Sequence, residues 1–228
     1  MRDWRLSGLE NFGTFQPFLT AGRFEIPQIF PVQLPEIKEW KGFNYARAGE
    51  VSGNVGTHFF VDDYQFAVVW NDPIRYMERF KGFGAVMSPD FSTYSDMPQA
   101  LQIYNHYRKH WCAQYWQSNG VTVIPTISWS TPESWEWCFD GEPVGGVVSV
   151  STVGCERDKE AFGLFVSGYQ EMLRRLEPSQ VLVYGKRFDF MTESNITVIE
   201  PFLKQMKERA KNNLLSMTSA RDIIDNFK

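Results

Sequence analysis

The chain has 228 residues and a formal net charge of -4, enough length for one domain with a buried core and too little positive charge to favour a nucleic-acid backbone as partner. No run of apolar residues approaches the roughly 18 of a membrane span, and Met1-Arg-Asp-Trp-Arg-Leu lacks the apolar stretch of a signal peptide. Three cysteines, Cys112, Cys138 and Cys155, show no CxxC spacing, which points to a reducing, cytoplasmic setting.

Residues 1–56 read as an irregular N-terminal wrap, because Pro17, Pro27, Pro31 and Pro35 break any helix. Gly49, Gly53 and Gly56 mark a loop, and the β/α core is expected over residues 57–212. Thr57–Asp62 and Phe66–Trp70 read as strands, and Asp72-Pro73 as the cap and first residue of a helix running to about Phe80. Ala85–Ser88 is the next strand. The clearest helix spans about Met97–Ser118, with Ala100, Tyr104, Tyr107, Trp111 and Tyr115 on one apolar stripe and Asn119-Gly120 as its stop. Val121–Ile127 follows as a strand, Thr131-Pro132 opens a short helix, and Val147–Ser151 is a further strand. A second strong helix covers about Glu156–Glu177 and is stopped by Pro178; Val181–Tyr184 is the last strand. A helix is expected over Val198–Lys211, with residues 213–228 a C-terminal helix or tail.

Strand, turn and helix thus recur from Phe66 to Tyr184, and this repetition predicts parallel strands with helical crossovers. The fold class is α/β: a parallel sheet of repeated β-α units forming an irregular or incomplete (βα) barrel, with an open doubly wound sheet as the alternative. Both place their sites at the C-terminal ends of the strands.

Candidate site residues are therefore sought at strand ends. Ser88-Pro89-Asp90-Phe91-Ser92-Thr93-Tyr94-Ser95-Asp96 holds two carboxylates and several hydroxyls. Asp90 is assigned as the catalytic candidate, a general acid or base or a ligand of a hard cation such as Mg²⁺, while Asp96 reads as a helix cap. Ser88 and Tyr94 are assigned to ligand binding. Asn71 ends the Phe66–Trp70 strand and is free to face a ligand. Ser128 and Trp129 end the central strand, where the indole could stack on a planar ring. Ser151 supplies a hydroxyl, and Lys186 and Arg187 a clamp for a phosphate or carboxylate. No GxGxxG or GxxxxGK[ST] loop is present. His106 and His110 have helical metal-pair spacing but fall opposite the aromatic stripe, so no residue is assigned as a metal ligand. His58 is the one histidine expected to reach a site. Asp62 and Asp63 read as turn residues, either of which could reach it. Cys155 has no evident histidine partner.

Three segments carry a family resemblance: Phe60-Val-Asp-Asp-Tyr-Gln-Phe-Ala-Val-Val-Trp-Asn-Asp-Pro73, Ser88-Pro-Asp-Phe-Ser-Thr-Tyr-Ser-Asp-Met-Pro98 and Trp116-Gln-Ser-Asn-Gly-Val-Thr-Val-Ile-Pro-Thr-Ile-Ser-Trp129. Over residues 25–210 the chain resembles a family of uncharacterised proteins, a domain of unknown function found in phages, plasmids and bacterial genomes. The resemblance is strongest at Ser-Pro-Asp-Phe-Ser. It brings no catalytic residues with it and implies a mobile-element role. Two functional readings result. In the first, a phage or mobile-element accessory protein binds a nucleotide-like or phosphorylated small molecule at its strand ends, with catalysis undecided. In the second, a non-catalytic counter-defence or interaction protein binds a host or phage protein. A membrane partner is not expected.

Overall fold

The computed structural model describes residues 11–201. Its centre is a run of parallel strands, β3 (Glu39–Gly42), β4 (Val55–His58), β5 (Ala85–Met87), β6 (Val123–Ile124), β7 (Val147–Ser151), β8 (Gln180–Tyr184) and β9 (Ile196–Ile199). A short antiparallel pair, β1 (Thr20–Ala21) and β2 (Ile26–Pro27), precedes it. Strands β3 to β6 form one sheet and β7 to β9 another. A parallel bridge between Thr126 and Ser149, with Ile127 N–H donating to Ser149 O and Ser149 N–H to Pro125 O (both 2.8 Å), joins the two.

Every strand lies beside its sequence neighbour, and the order never reverses as it does in a doubly wound sheet. The strands curl as in a barrel. His58 at the end of β4 meets Tyr184 at the end of β8 with ring centroids 4.5 Å apart, and Phe60 stacks on Tyr184 at 4.8 Å. Ala85, Met87, Ile124, Val147, Leu182 and Ile199 fill the concave face between them. No pairing closes β9 onto β3 among the described residues, so the fold is an incomplete (βα) barrel.

The alternation along β7 shows why these segments are strands. Val148 and Val150 face one core while Val147 and Ser149 face the concave side, and β-branched residues suit the pleat. The helix after β7, α6 (Lys159–Leu176), starts where the Asp158 carboxylate accepts from Ala161 N–H at 2.7 Å. It ends at Glu177, which adopts the left-handed conformation (φ 43°). Its Phe165, Tyr169, Met172 and Leu176 cover β7 and β8.

Four expectations are corrected. Phe66–Trp70 is helical: after α1 (Phe43–Ala46), α2 (Asp63–Phe66) and α3 (Val68–Asn71) bury Phe66, Val69 and Trp70, and a short apolar run does not distinguish a buried helix from a strand. Asp72-Pro73 forms a turn, and the next helix, α4, begins later, at Met77–Lys81. Val198 and Ile199 belong to β9, Glu200 and Pro201 are not helical, and residues 202–211 of the helix expected there lie outside the described residues.

The fourth correction concerns α5 (Gln99–Ser118). Ala100 is exposed and Tyr104, Tyr107 and Tyr115 are only half-buried, while Gln102, Asn105, His106, Lys109, His110 and Gln114 are buried. The polar face points inward because the N-terminal segment packs on it and supplies acceptors. Gln114 Nε2 donates to Leu19 O and Gln28 O, both at 2.9 Å, and Gln117 exchanges hydrogen bonds with the Phe30 backbone. The opposite face, with Trp111, Cys112 and Trp116, joins an aromatic core with Phe59, Phe66 and Phe80. No helix among the described residues is long and apolar enough to cross a membrane.

Candidate functional site

The strands release their chains into one mouth at their C-terminal ends. Two adjoining clefts, of about 360 and 460 Å³, share Asp90, Ser92, Tyr94, Ser151 and Val153. Ile127, Ser128 and Trp129 after β6 line the first; Gly42 after β3, His58 on β4 and Tyr184 on β8 line the second.

The loop carrying Asp90 is pinned on both sides. Ser88, buried, accepts from Thr126 N–H at 2.8 Å, and its carbonyl accepts from Thr126 Oγ1 at 3.0 Å. Beyond Asp90, Phe91 is buried against Phe66, with the Arg108 guanidinium 4.0 Å from its ring centre. Ser92 donates through its backbone N–H and its hydroxyl to the Asp63 carboxylate, at 3.1 and 2.8 Å. Asn105 Nδ2 donates to Ser92 O at 2.6 Å. Asp90 therefore sits on a fixed support.

Burial raises the Asp90 carboxyl to about 7; the Lys109 ammonium opposes the rise and the Asp63 carboxylate adds to it. His58 moves the other way, lowered by burial to about 4. Its Nδ1 accepts from Phe60 N–H at 3.3 Å. Between those two values the mouth presents a carboxylic acid and a neutral imidazole. An acid that titrates near neutrality can give and take a proton at working pH.

Of the residues assigned from sequence, Asp90, Tyr94, Ser128, Trp129 and Ser151 meet in this mouth. Trp129 is held by its indole N–H donating to Leu164 O at 3.1 Å, with its ring on Phe165. Ser88 lies behind the lining and positions Asp90. Three assigned residues are placed elsewhere. Asn71 is exposed at the end of α3. Lys186 turns outward, 3.3 Å from Glu156 and over the Phe188 ring. Arg187 donates to Met191 O and Glu193 O, tying down its own loop. No lysine or arginine lines either cleft among the described residues, whereas Asp62, Asp63 and Asp90 do. Cys155, also lining, donates to Thr152 O and is raised to about 11, so its thiol is protonated and poorly nucleophilic.

Sequence reasoning missed a charged cluster centred on Lys109. Lys109 Nζ donates to Thr126 O at 2.8 Å and to Glu142 Oε1 at 2.7 Å. His110 Nε2 lies 3.0 Å from the same oxygen, and the His106 ring is 4.3 Å from that of His110. All four residues are buried. Burial depresses both histidines, while Glu142 is held below its ordinary value, its burial outweighed by Lys109 and His110. A signal was present: Gln102, Asn105/His106, Lys109/His110 and Gln114 recur every three to four residues, the spacing of one helical face.

Residues 18–202 match the model of the family described as Domain of unknown function (DUF4417). The "Gene 1 protein" of Mycobacterium phage D29 is 37% identical over 196 residues, covering 85% of this chain and 72% of the relative. The "Gene 1 protein" of Mycobacterium phage L5 is 39% identical over 173 residues, covering 74% of each chain. No solved structure matches.

Proposed function

We propose that this chain, which belongs to the family of unknown function matched above, is a phage or mobile-element accessory protein that binds a nucleotide-like small molecule at the mouth of its incomplete barrel. The observation carrying this reading is the convergence of strand ends on one pinned acid, Asp90, whose carboxyl titrates at about 7. Barrel folds place ligands at that end. Tyr94 and Trp129 offer ring faces for a planar group, and Ser128 and Ser151 offer hydroxyls for its polar edge. The acidic lining selects the ligand's charge. It favours a neutral nucleoside or sugar ring, or a phosphate that arrives with Mg²⁺, over a bare phosphate.

The test is a thermal-shift panel of nucleosides, nucleotides with and without Mg²⁺, and sugar phosphates, on wild type and Asp90→Asn. A ligand at 100 times its Kd should stabilise the protein by about 2.7 kcal/mol. A shift seen with wild type and lost in Asp90→Asn is the expected result, and mass analysis of the recovered ligand then separates turnover from storage. A flat panel ends the nucleotide reading.

One observation favours a protein partner as the second reading. Tyr94 is 65% exposed, and Tyr45 and Val153 are 51% and 61% exposed, all lining the second cleft of the mouth. An aromatic rim of this kind suits a protein interface.

A further inference from the structure

We propose that His106, His110 and Glu142 form a buried site for a divalent transition-metal ion, with zinc as the probe ion. Each residue offers one ligand atom, and these atoms lie within 4.8 Å of one another. Two imidazoles and a carboxylate are a donor set that suits zinc and its neighbours in the first transition row.

The hydrogen bonds orient both rings as metal ligands. His110 Nδ1 lies 2.8 Å from Pro27 O, a carbonyl that can only accept, so Nδ1 carries a proton. Its other ring nitrogen, Nε2, lies 3.0 Å from Glu142 Oε1 and faces the carboxylate that would share the ion. His106 repeats the arrangement: Nε2 donates to Asp140 O at 3.1 Å, which leaves Nδ1 as a lone pair. That Nδ1 is buried without a partner, and so is Glu142 Oε2. Metal-bound histidines are held in this way, the outer nitrogen donating to a carbonyl while the inner one faces the ion. Two buried atoms without a partner, His106 Nδ1 and Glu142 Oε2, in one cluster with His110 Nε2, call for a cation or a donor between them.

The backbone is shaped to bring the third residue in. Gly141 has φ 75°, and a Cβ there would lie 2.7 Å from Pro27 O and 2.9 Å from His110 Nδ1. Only glycine lets this loop pass so close and deliver Glu142 to the histidines. Lys109 competes with the ion, because its ammonium occupies Oε1. Oε2 is the oxygen left for the metal, and the neighbouring positive charge weakens binding.

The test uses the full chain. Metal content is measured after expression in zinc-supplemented medium, and the EDTA-stripped protein is titrated with Zn²⁺ and with Co²⁺, followed by the visible d–d bands of cobalt. The same is done for His106→Asn, Glu142→Gln and Lys109→Met, with circular dichroism as the check on folding. The expected result is about one ion per chain in wild type. Binding should be at least ~10-fold weaker in the His106 and Glu142 variants, which lose a ligand, and tighter in Lys109→Met, which loses the competing charge. A wild-type chain that carries no metal and shows no cobalt bands overturns the proposal and leaves a trapped water as the missing donor. So does binding that persists unchanged in folded His106→Asn and Glu142→Gln, because the ion is then held elsewhere.

Discussion

Asp90 and His58 share the mouth but answer pH with opposite signs. The folded-state value of Asp90, about 7, lies above that of an exposed aspartate, so the folded protein holds a proton that the unfolded chain releases. The stability this group contributes is full below about pH 4, falls as pH rises, and is lost once pH passes about 7. His58, depressed to about 4, contributes stability above its ordinary value near 6.5 that is lost as pH falls toward 4. Asp90→Asn should therefore be more stable than wild type at pH 8, by on the order of 2 kcal/mol, and the gap should close toward pH 4. Urea unfolding of both proteins across that range tests this, and parallel profiles would mean that the carboxyl is solvated. At this scale the position of Asp90 in the mouth was legible in the sequence, because it directly follows an apolar strand of a parallel β/α fold. Lys186 and Arg187 were not. Both follow a strand, but their direction is set by acceptors that the strand-end pattern does not announce: Glu156, far along the chain, for one, and the carbonyls of Met191 and Glu193 in its own loop for the other.

At the scale of elements, α5 and α6 are packed by different means. The polar face of α5 is buried only because specific partners meet it, so removing one partner is costly. Lys109→Met leaves Glu142 buried without its ammonium and should destabilise the protein by about 3–5 kcal/mol, measured by urea unfolding in EDTA. A loss below 1 kcal/mol would show that Glu142 is protonated or hydrated in place. Helix α6 instead packs by shape. The Trp129 indole lies against Gly168, where an added Cβ would overlap the ring. Gly168→Ala should cost about 1–3 kcal/mol through overpacking and shift the tryptophan emission, because Trp129 must move in the cleft wall. Unchanged emission and stability would mean that the indole is loosely held. The two helices also explain what the sequence could tell. For α6, the Asp158 cap, the apolar spacing of Phe165, Tyr169, Met172 and Leu176, and Pro178 all lie within the segment. The partners of α5 lie far from it, Leu19 and Gln28 in the N-terminal segment and Glu142 in a later loop, and hydropathy alone sends such a face to solvent. Phe66–Trp70 failed for a related reason, since a five-residue apolar run satisfies either period and packing against Trp111 and Phe91 decides it.

Across the whole molecule, the two parallel sheets are joined by little backbone. The junction rests on the Thr126–Ser149 bridge, where the two hydroxyls lie 3.3 Å apart and Ser149 Oγ donates to Pro125 O at 3.0 Å. Side chains make the connection stronger. The concave core draws Ala85, Met87 and Ile124 from the first sheet and Val147, Leu182 and Ile199 from the second, and His58 meets Tyr184 across the curl. Neither sheet can bury that face alone, so the described chain should unfold as one cooperative unit despite its two hydrogen-bonded sheets. Met87→Ala and Leu182→Ala, one from each sheet, should each cost about 2–5 kcal/mol and move the same single transition. Tryptophan fluorescence, which draws on Trp70, Trp111 and Trp116 in one core and on Trp129, Trp135 and Trp137 in the other, and far-ultraviolet circular dichroism should give coincident urea curves for wild type and both variants. If Leu182→Ala instead split the urea curve into two phases and moved one of them, while Met87→Ala shifted only the other, the sheets would be separate folding units. The mouth between them, with Asp90 contributed by one and Ser151 and Tyr184 by the other, would then form only after they dock.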